Sequence, residues 1–540
     1  MTSAEPTPTA PNVARSLLRS LGRAFSVCVT LILTALLGIV IYVVIGRAVP
    51  VPDWLRTEVE VRAAEVLGAS SVQFDKLEVA LTEGQTPSVR MTDVRLFTET
   101  GAEIAAFGAL RAGVSLPELL QGEVRVSEIS FVGIFAKLIR DADGSFSLSG
   151  GFDLSAPSER ADSLAQLIER IDAVFERPGL SSLRDVDLQS LNLRVEDRRA
   201  DRVWTIDGGR MQLTREEDTL RISSDLALLS GGQDVATLQA SYESNIGSSA
   251  ATFGATVEDI AAGDIATLAP PFEWLEVLRA PISGSLRGGV HADGSIAPLN
   301  ATLSIAAGVI QPTDATKPVP FDNARSYFTY DPQERVLTFD ELSVESAWVK
   351  GRIEGQTVLG VDDDGRLKDI VGQFSANGLS ANPNSVYPEA VGLESAEMDF
   401  RMELKPFRLD VGQALLRDQG HLLQVEGSLE AAPEGWSYSV DGRLDAISPE
   451  RVLELWPEAL VVKTRKWIAD NVLAGSLHDL DLVLRGQPNA RPTVYVGFAF
   501  KDAEVRYVKT LPNILGASGT ASLLDNRFVC LLYTSPSPRD

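Results

Sequence analysis

The chain has 540 residues, of which 44% are apolar, enough to bury several cores. Its 74 acidic and 49 basic side chains leave a formal charge of −25, which argues against nucleic acid as a partner, because phosphate binding needs clustered Lys and Arg. Only two cysteines occur, Cys28 and Cys530, so the region between them holds no disulfide and no Cys-based metal site.

The first element is an uncharged stretch, Phe25 to Ile45. A helix needs roughly 20 apolar residues to cross a bilayer, and this stretch is long enough. No Ala-x-Ala cleavage site follows at Gly46-Arg47-Ala48-Val49-Pro50, so the expectation is an uncleaved anchor, with Phe25, Leu31, Leu37 and Ile45 along it. Arg15, Arg19 and Arg23 precede it, which places residues 1–24 in the cytoplasm by the positive-inside rule.

Residues 46–157 read as a first β unit. An amphipathic helix is expected over 158–178: Leu164, Leu167, Ile168, Ile171, Val174 and Phe175 share one stripe, and Pro178-Gly179 ends it. Further β units follow over 179–290 and 291–445. Period-two alternation is the signal throughout, since successive strand residues face opposite ways. In Glu397 to Leu404, Met398, Phe400, Met402 and Leu404 take one face, and Asp399, Arg401 and Glu403 the other. Leu191 to Val195, Leu337/Phe339 and Trp436/Tyr438/Val440 alternate in the same way. Asp-Gly pairs at 143–144, 207–208, 293–294, 364–365 and 441–442 are read as hairpin turns. The expected architecture is mainly β: a long antiparallel meander with one apolar face.

Residues 446–528 hold a helical insertion and more strands. Ser448-Pro449-Glu450 has a serine N-cap and proline in the first turn, and Val452, Leu453, Leu455 and Trp456 run to Pro457. A second helix is expected over Lys463 to Asn471, closing near Gly475. In Thr493 to Val508, Val494, Val496, Phe498 and Phe500 take one face.

A weak internal repeat joins two regions. Asp259-Ile260, a segment with Trp274, and Gly284 to Gly288 correspond to Asp445 to Ile447, a segment with Trp456 and Trp467, and Gly475-Ser476-Leu477. Ordered repeats suggest units that stack on their neighbours.

The segments Leu453-Glu454-Leu455-Trp456-Pro457, Lys466-Trp467-Ile468-Ala469-Asp470-Asn471 and Ala474-Gly475-Ser476-Leu477 resemble the YhdP-like group of AsmA-family proteins. Trp456, Pro457, Trp467, Asn471 and Gly475 carry the most specific part of that resemblance. Val94 to Phe97, Leu119-Leu120-Gln121-Gly122, Val124-Arg125-Val126 and Val195-Glu196-Asp197 with Trp204 resemble the family's opening unit. The resemblance implies an elongated, curled antiparallel β-groove. It further implies a single-pass bacterial inner-membrane protein with its bulk in the periplasm, passing phospholipids between inner and outer membranes. About 30 strands at roughly 4.8 Å each would span on the order of 140 Å. On this reading Met398, Phe400, Met402, Leu404, Val494, Val496, Phe498 and Phe500 line the groove. Contact with the outer membrane or its proteins would fall to a further C-terminal part.

Two other readings stay open. Alternating strands commonly pack on an ordinary core, and a non-transporting envelope scaffold assisting outer-membrane protein assembly needs no apolar trough. Catalysis is not expected: His291, His421 and His478 are far apart, and no nucleophile, zinc or P-loop motif occurs. No cofactor or metal is expected either. The acidic turns at Asp141 and Asp362 lack the glutamate that a calcium loop needs. Lys463, Arg465 and Lys466 form a small basic cluster, read as a solvated helix face, with anionic headgroups as the other option. Residues 529–540, VCLLYTSPSPRD, break the strand pattern and resemble translated adaptor sequence, so a non-native tail is expected there.

Overall fold

The computed structural model describes most of residues 69–533 and scattered positions between 26 and 64, with its longer gaps at 82–86, 116–124, 151–158, 162–179 and 230–234. The protein is mainly β, and nearly all its long strands belong to one large mixed sheet, accompanied by a three-stranded one. The chain divides into two compact units: residues 1–199 with 206–220, and residues 200–205 with 221–540.

In the first unit, Lys76–Leu81, Pro87–Phe97, Glu103–Val114 and Val126–Arg140 follow one another as an antiparallel ladder. Met91, Val94 and Leu110 lie buried in it, and the Phe107 and Phe131 rings are 4.8 Å apart. The described positions between 56 and 64 are helical, and the Arg56 guanidinium lies 4.9 Å above the Phe74 ring. A helix here departs from the all-β reading of residues 46–157.

A wholly antiparallel meander is corrected here. Asp185–Asp197 runs parallel to Val126–Arg140, from the pair Glu128/Asp185 to the pair Arg140/Asp197. A parallel partner needs a crossover connection, and the chain between these strands is long enough to provide one. Ion pairs bind the far ends: Lys137–Glu196 at 3.0 Å, Arg140–Asp197 at 3.2 Å and Arg198–Asp141 at 2.9 Å. The amphipathic helix expected over 158–178 is corrected at its start, because Glu159–Ala161 is a strand paired with Phe146–Gly150; the rest of it lies outside the described residues.

The second unit does follow the expected meander. Strands Val235–Asn245, Ala251–Ala261, Pro281–Val290, Leu299–Ile305, Asn323–Asp331, Val336–Glu345, Val349–Val361 and Leu367–Ala381 pair each with the next. The ladder continues through Val391–Leu404, Phe407–Asp418, His421–Ala432, Gly435–Ile447, Val472–Gly486, Thr493–Val505, Ile514–Leu524 and Arg527–Tyr533.

Several turn expectations change. Asp293-Gly294 is a turn, with Gly294 at φ 82°. Asp207-Gly208 and Asp441-Gly442 instead lie inside strands, and Gly442 pairs with both Val425 and Leu482. Asp143-Gly144 and Asp364-Gly365 fall outside the described residues. A tight hairpin occurs at Gln419-Gly420, where both residues have positive φ and Asp418 pairs with His421.

The expected curl is also corrected: the large sheet is not curled. In the second unit, inserted chain covers part of its apolar face, over Phe328 and Phe339. Strand pairing continues past the expected break at Val529, since Arg527–Tyr533 pairs with Ile514–Leu524. Residues 534–540 are outside the described residues.

Candidate functional site: one apolar face of the second unit

Residues paired across an antiparallel ladder project to the same face, so register can be followed from strand to strand. One row runs Ala240, Ala255, Leu286, Ala301, Phe328, Phe339, Gly355 and Phe374. It goes on through Met398, Ala414, Val425, Gly442, Leu482, Val496, Leu523 and Phe528. Every member is apolar or glycine. The row next to it runs Ser241, Gly254, Arg287, Asn300, Thr329, Thr338, Gln356, Gln373, Asp399 and Gln413, with no hydrophobic member. From Val235–Asn245 to Phe407–Asp418 the sheet therefore has one apolar and one polar face.

Both expected quartets lie on the apolar face. Met398, Phe400, Met402 and Leu404 connect to Val494, Val496, Phe498 and Phe500 through Leu409, Val411, Val425, Leu429, Val440 and Leu484. They differ in burial. Phe400 and Phe500 are buried, at 7% and 8% exposure, and the other six are partly exposed.

Aromatic rings lie across glycines on this face. Phe253 pairs with Gly288, Phe374 with Gly355, Phe400 with Gly372, Tyr438 with Gly486 and Phe500 with Gly519. A Cβ on Gly355 would stand 2.6 Å from Phe374 Cδ1, and one on Gly519 2.7 Å from Phe500 Cζ. The missing side chain leaves room for the ring and the ring fills the gap, a pairing known to stabilise sheet glycines. Phe328, Phe339, Phe374 and Phe400 thus form a ladder with centroids 5.0 to 5.6 Å apart. Each such pair is worth about 0.5–1.5 kcal/mol beyond its buried area.

Two inserts rest on the face. The first leaves the sheet after Ala261 and passes through the short helix Ala262–Ala266 and the 3₁₀ helix Pro270–Val277. The Phe272 ring lies 6.2 Å from Phe328, the Trp274 ring 6.2 Å from Phe339, and Leu275 is fully buried. The Glu273 carboxylate accepts from the Leu367 amide at 3.2 Å and Glu276 pairs with Lys405 at 2.9 Å; outside this insert, the Lys317 carbonyl, between Gly308–Ile310 and Val319–Phe321, accepts from the Trp436 indole. Beneath it Ile282, Leu303, Ile305, Phe328, Leu337, Leu359 and Ile370 are 0–4% exposed. Ser326 and Thr357 also lie here, with buried hydroxyls that have no hydrogen-bond partner among the described residues.

The second insert covers less. Its helices are Pro449–Leu455 and Val462–Asn471, as expected, and the Ser448 hydroxyl accepts from the Arg451 amide at 3.2 Å. The first helix is pinned by Arg451, which donates to both Asp418 oxygens at 2.9 and 2.7 Å and to Glu454 at 2.7 Å. The hydrogen bonds to Asp418 push the Arg451 pKa further up. The Tyr387 hydroxyl donates to the Leu455 carbonyl, and burial raises the Tyr387 pKa.

Trp456 and Pro457 mark the first helix's end, and Arg465 donates to the carbonyls of Trp456 and Leu453. Arg465 is therefore a helix cap and not part of a free basic cluster. Trp467 packs 6.4 Å from Phe528, and the Asn471 amide donates to the Trp467 carbonyl. No glycine closes the second helix: the strand starts at Val472, and Gly475 lies within it, where a Cβ would stand 2.9 Å from Ala503. The helix buries no residue of its own.

Between the inserts the face stays half-open. Leu409, Val411, Leu423, Val425, Leu429, Val440, Leu444 and Leu484 are all partly exposed, and Leu482 is 37% exposed.

Of the anchor residues, Leu31 is helical and 64% exposed, as are its described neighbours Val27 and Leu33 at 57% and 60%. Phe25, Leu37 and Ile45 lie outside the described residues. No helix among the described residues is long and apolar enough to cross a membrane. No cluster of metal-ligating side chains occurs among the described residues. No protein family, curated protein or solved structure matches the chain.

Proposed function

We propose that the protein is a lipid-transfer protein, tethered through its apolar amino-terminal segment, whose apolar sheet face carries phospholipid acyl chains. The observation that supports this most is the row from Ala240 to Phe528, unbroken by any polar side chain and half-open over its rear strands. A methylene removed from water gains about 0.8 kcal/mol, so such a face holds an alkyl chain without a specific headgroup pocket. A chain held this way can slide, because neighbouring positions along the row are chemically alike. A soluble catalyst gains nothing from such a surface, and a rigid scaffold would keep it covered.

The uncharged stretch Phe25 to Ile45 and the arginines before it support a single-pass inner-membrane protein with a cytoplasmic N-terminus and a periplasmic body. The resemblance to YhdP-like proteins points the same way. Phospholipids and the inner membrane are the partners on this reading, with the outer membrane as destination.

Photo-crosslinking from Val496, Phe498 and Met402, followed by lipid analysis of the adduct, tests the proposal. Phospholipid adducts from these positions and none from Asp399 are expected. Equal labelling on both faces, or no lipid on either, would leave the scaffold as the better account.

A further inference from the structure

The Val462–Asn471 helix and the loop after Thr493–Val505 carry chemistry that neither the sheet nor the ladder uses. On the helix, Lys463, Lys466 and Trp467 share one outward side. The two lysines have no ion-pair partner among the described residues, and the Trp467 indole is 37% exposed although its ring packs toward Phe528. The loop begins beside this helix, where the Arg506 amide donates to the Asn471 carbonyl at 2.8 Å. Three of its large side chains stand in solvent: Tyr507 at 71%, Leu511 at 61% and, at the opening of the next strand, Leu515 at 72%. Exposed apolar groups at this density mark an interaction surface.

The surface also has a charge. The chain as a whole carries −25, yet on this helix Lys463 and Lys466 outnumber Asp470, while on the loop the exposed Arg506 stands against Glu504, which accepts from Asn513. Lysines flanking tryptophan, tyrosine and leucine form the composition that settles at a bilayer surface: rings and aliphatic chains enter the headgroup zone, and ammonium groups stay at anionic phosphates. A soluble acidic partner would meet the lysines but leave the leucines wet. Trp467 further joins this rim to the apolar row through Phe528, so a lipid leaving a bilayer at the rim meets a continuous apolar path.

We propose that this rim docks on an anionic phospholipid bilayer and is the port through which lipid reaches the half-open face; the port role rests on the lipid-transfer reading, whereas the docking does not. The test uses the full chain held in phosphatidylcholine nanodiscs, which occupy the apolar amino-terminal segment. Capture of fluorescent phosphatidylcholine vesicles, with and without phosphatidylglycerol, is then measured.

Capture that requires phosphatidylglycerol is expected. It should fall roughly 30-fold in Lys463→Gln/Lys466→Gln, since each lysine near an anionic surface contributes about fivefold. Lys463→Arg/Lys466→Arg should restore it. Tyr507→Ser/Leu511→Ser/Leu515→Ser, which keeps every charge, should also lose it. Vesicle capture unchanged in both variants, or no capture by the native chain, overturns the proposal. Lipid crosslinking at Val496 is read in parallel. Its failure with capture intact would remove the transfer reading and leave the docking surface standing.

Discussion

Two stretches of the same apolar face meet different fates. Under the first insert, from Pro281–Val290 to Leu367–Ala381, the face is a conventional core: Ile282, Leu337 and Leu359 are at most 2% exposed. From Phe407–Asp418 to Thr493–Val505 the same alternation continues, and Phe407, Phe500 and small residues such as Ala414 are buried, yet apolar side chains between them, among them Leu409, Val425, Val440 and Leu484, are only partly buried. Ladder chemistry is equal in both, so the difference lies in what rests on the sheet. Phe272, Trp274 and Leu275 press into the first stretch, whereas the second insert contributes two short helices, one of which buries nothing. Apolar patterning thus fixes a face, and the inserted chain decides whether that face becomes core or binding surface.

Truncations should separate the two stretches. Phe328→Ala, in the covered part, removes a ring in contact with Phe272 and Phe339 and should lower stability by about 3–5 kcal/mol, as read from urea unfolding. Next comes Gly355→Ala, whose new methyl group would meet the Phe374 ring and the Gln373 carbonyl; a loss of about 1–3 kcal/mol is expected from overpacking. Arg451→Met removes the partner of Asp418 where both groups are mostly buried, at 15% and 13% side-chain exposure. A partly solvated pair of this kind should cost about 1–3 kcal/mol, below the full penalty for a deeply buried one. The same variant should loosen the second insert, and faster amide exchange over Pro449–Leu455 would show it.

Leu409→Ala, in the half-open part, should cost well under the 2–5 kcal/mol typical of buried leucine, since water already reaches its side chain. A penalty equal to that of Phe328→Ala would erase the distinction between the stretches. Smallest is Arg352→Ala on the polar face, where the pair with Glu341 is 67% exposed on the arginine side and should contribute at most about 1 kcal/mol.

Much of this face was legible in the sequence. Met398, Phe400, Met402 and Leu404 alternate with charges, and period two allows only one arrangement on a half-buried strand. The capped helix at Ser448 was legible too, because serine followed by proline specifies a start. The turn reading failed at Asp441-Gly442, since local turn chemistry yields when flanking residues already pair on both sides. Parallel pairing of Asp185–Asp197 with Val126–Arg140 left no local mark, because partner choice across a long connection is decided by tertiary packing. Alternation alone places Phe500 among the groove residues, but its burial against Ala503, Ala517 and Ala521 makes it a structural one. A charge at Phe500 should therefore unfold the local ladder, and Phe498 and Val496 are the positions that report on binding.

The central claim, that the half-open stretch holds lipid while the covered stretch is core, has one direct measurement. A photo-reactive residue is placed in turn at Leu409, Val425, Val496, Phe328 and Asp399, and lipid adducts are quantified from protein purified out of native membranes. Adducts at Leu409, Val425 and Val496, with none at Phe328 or Asp399, are the predicted result. Adducts at Phe328 equal to those at Val496, or no adduct at any of the three half-open positions, would contradict it.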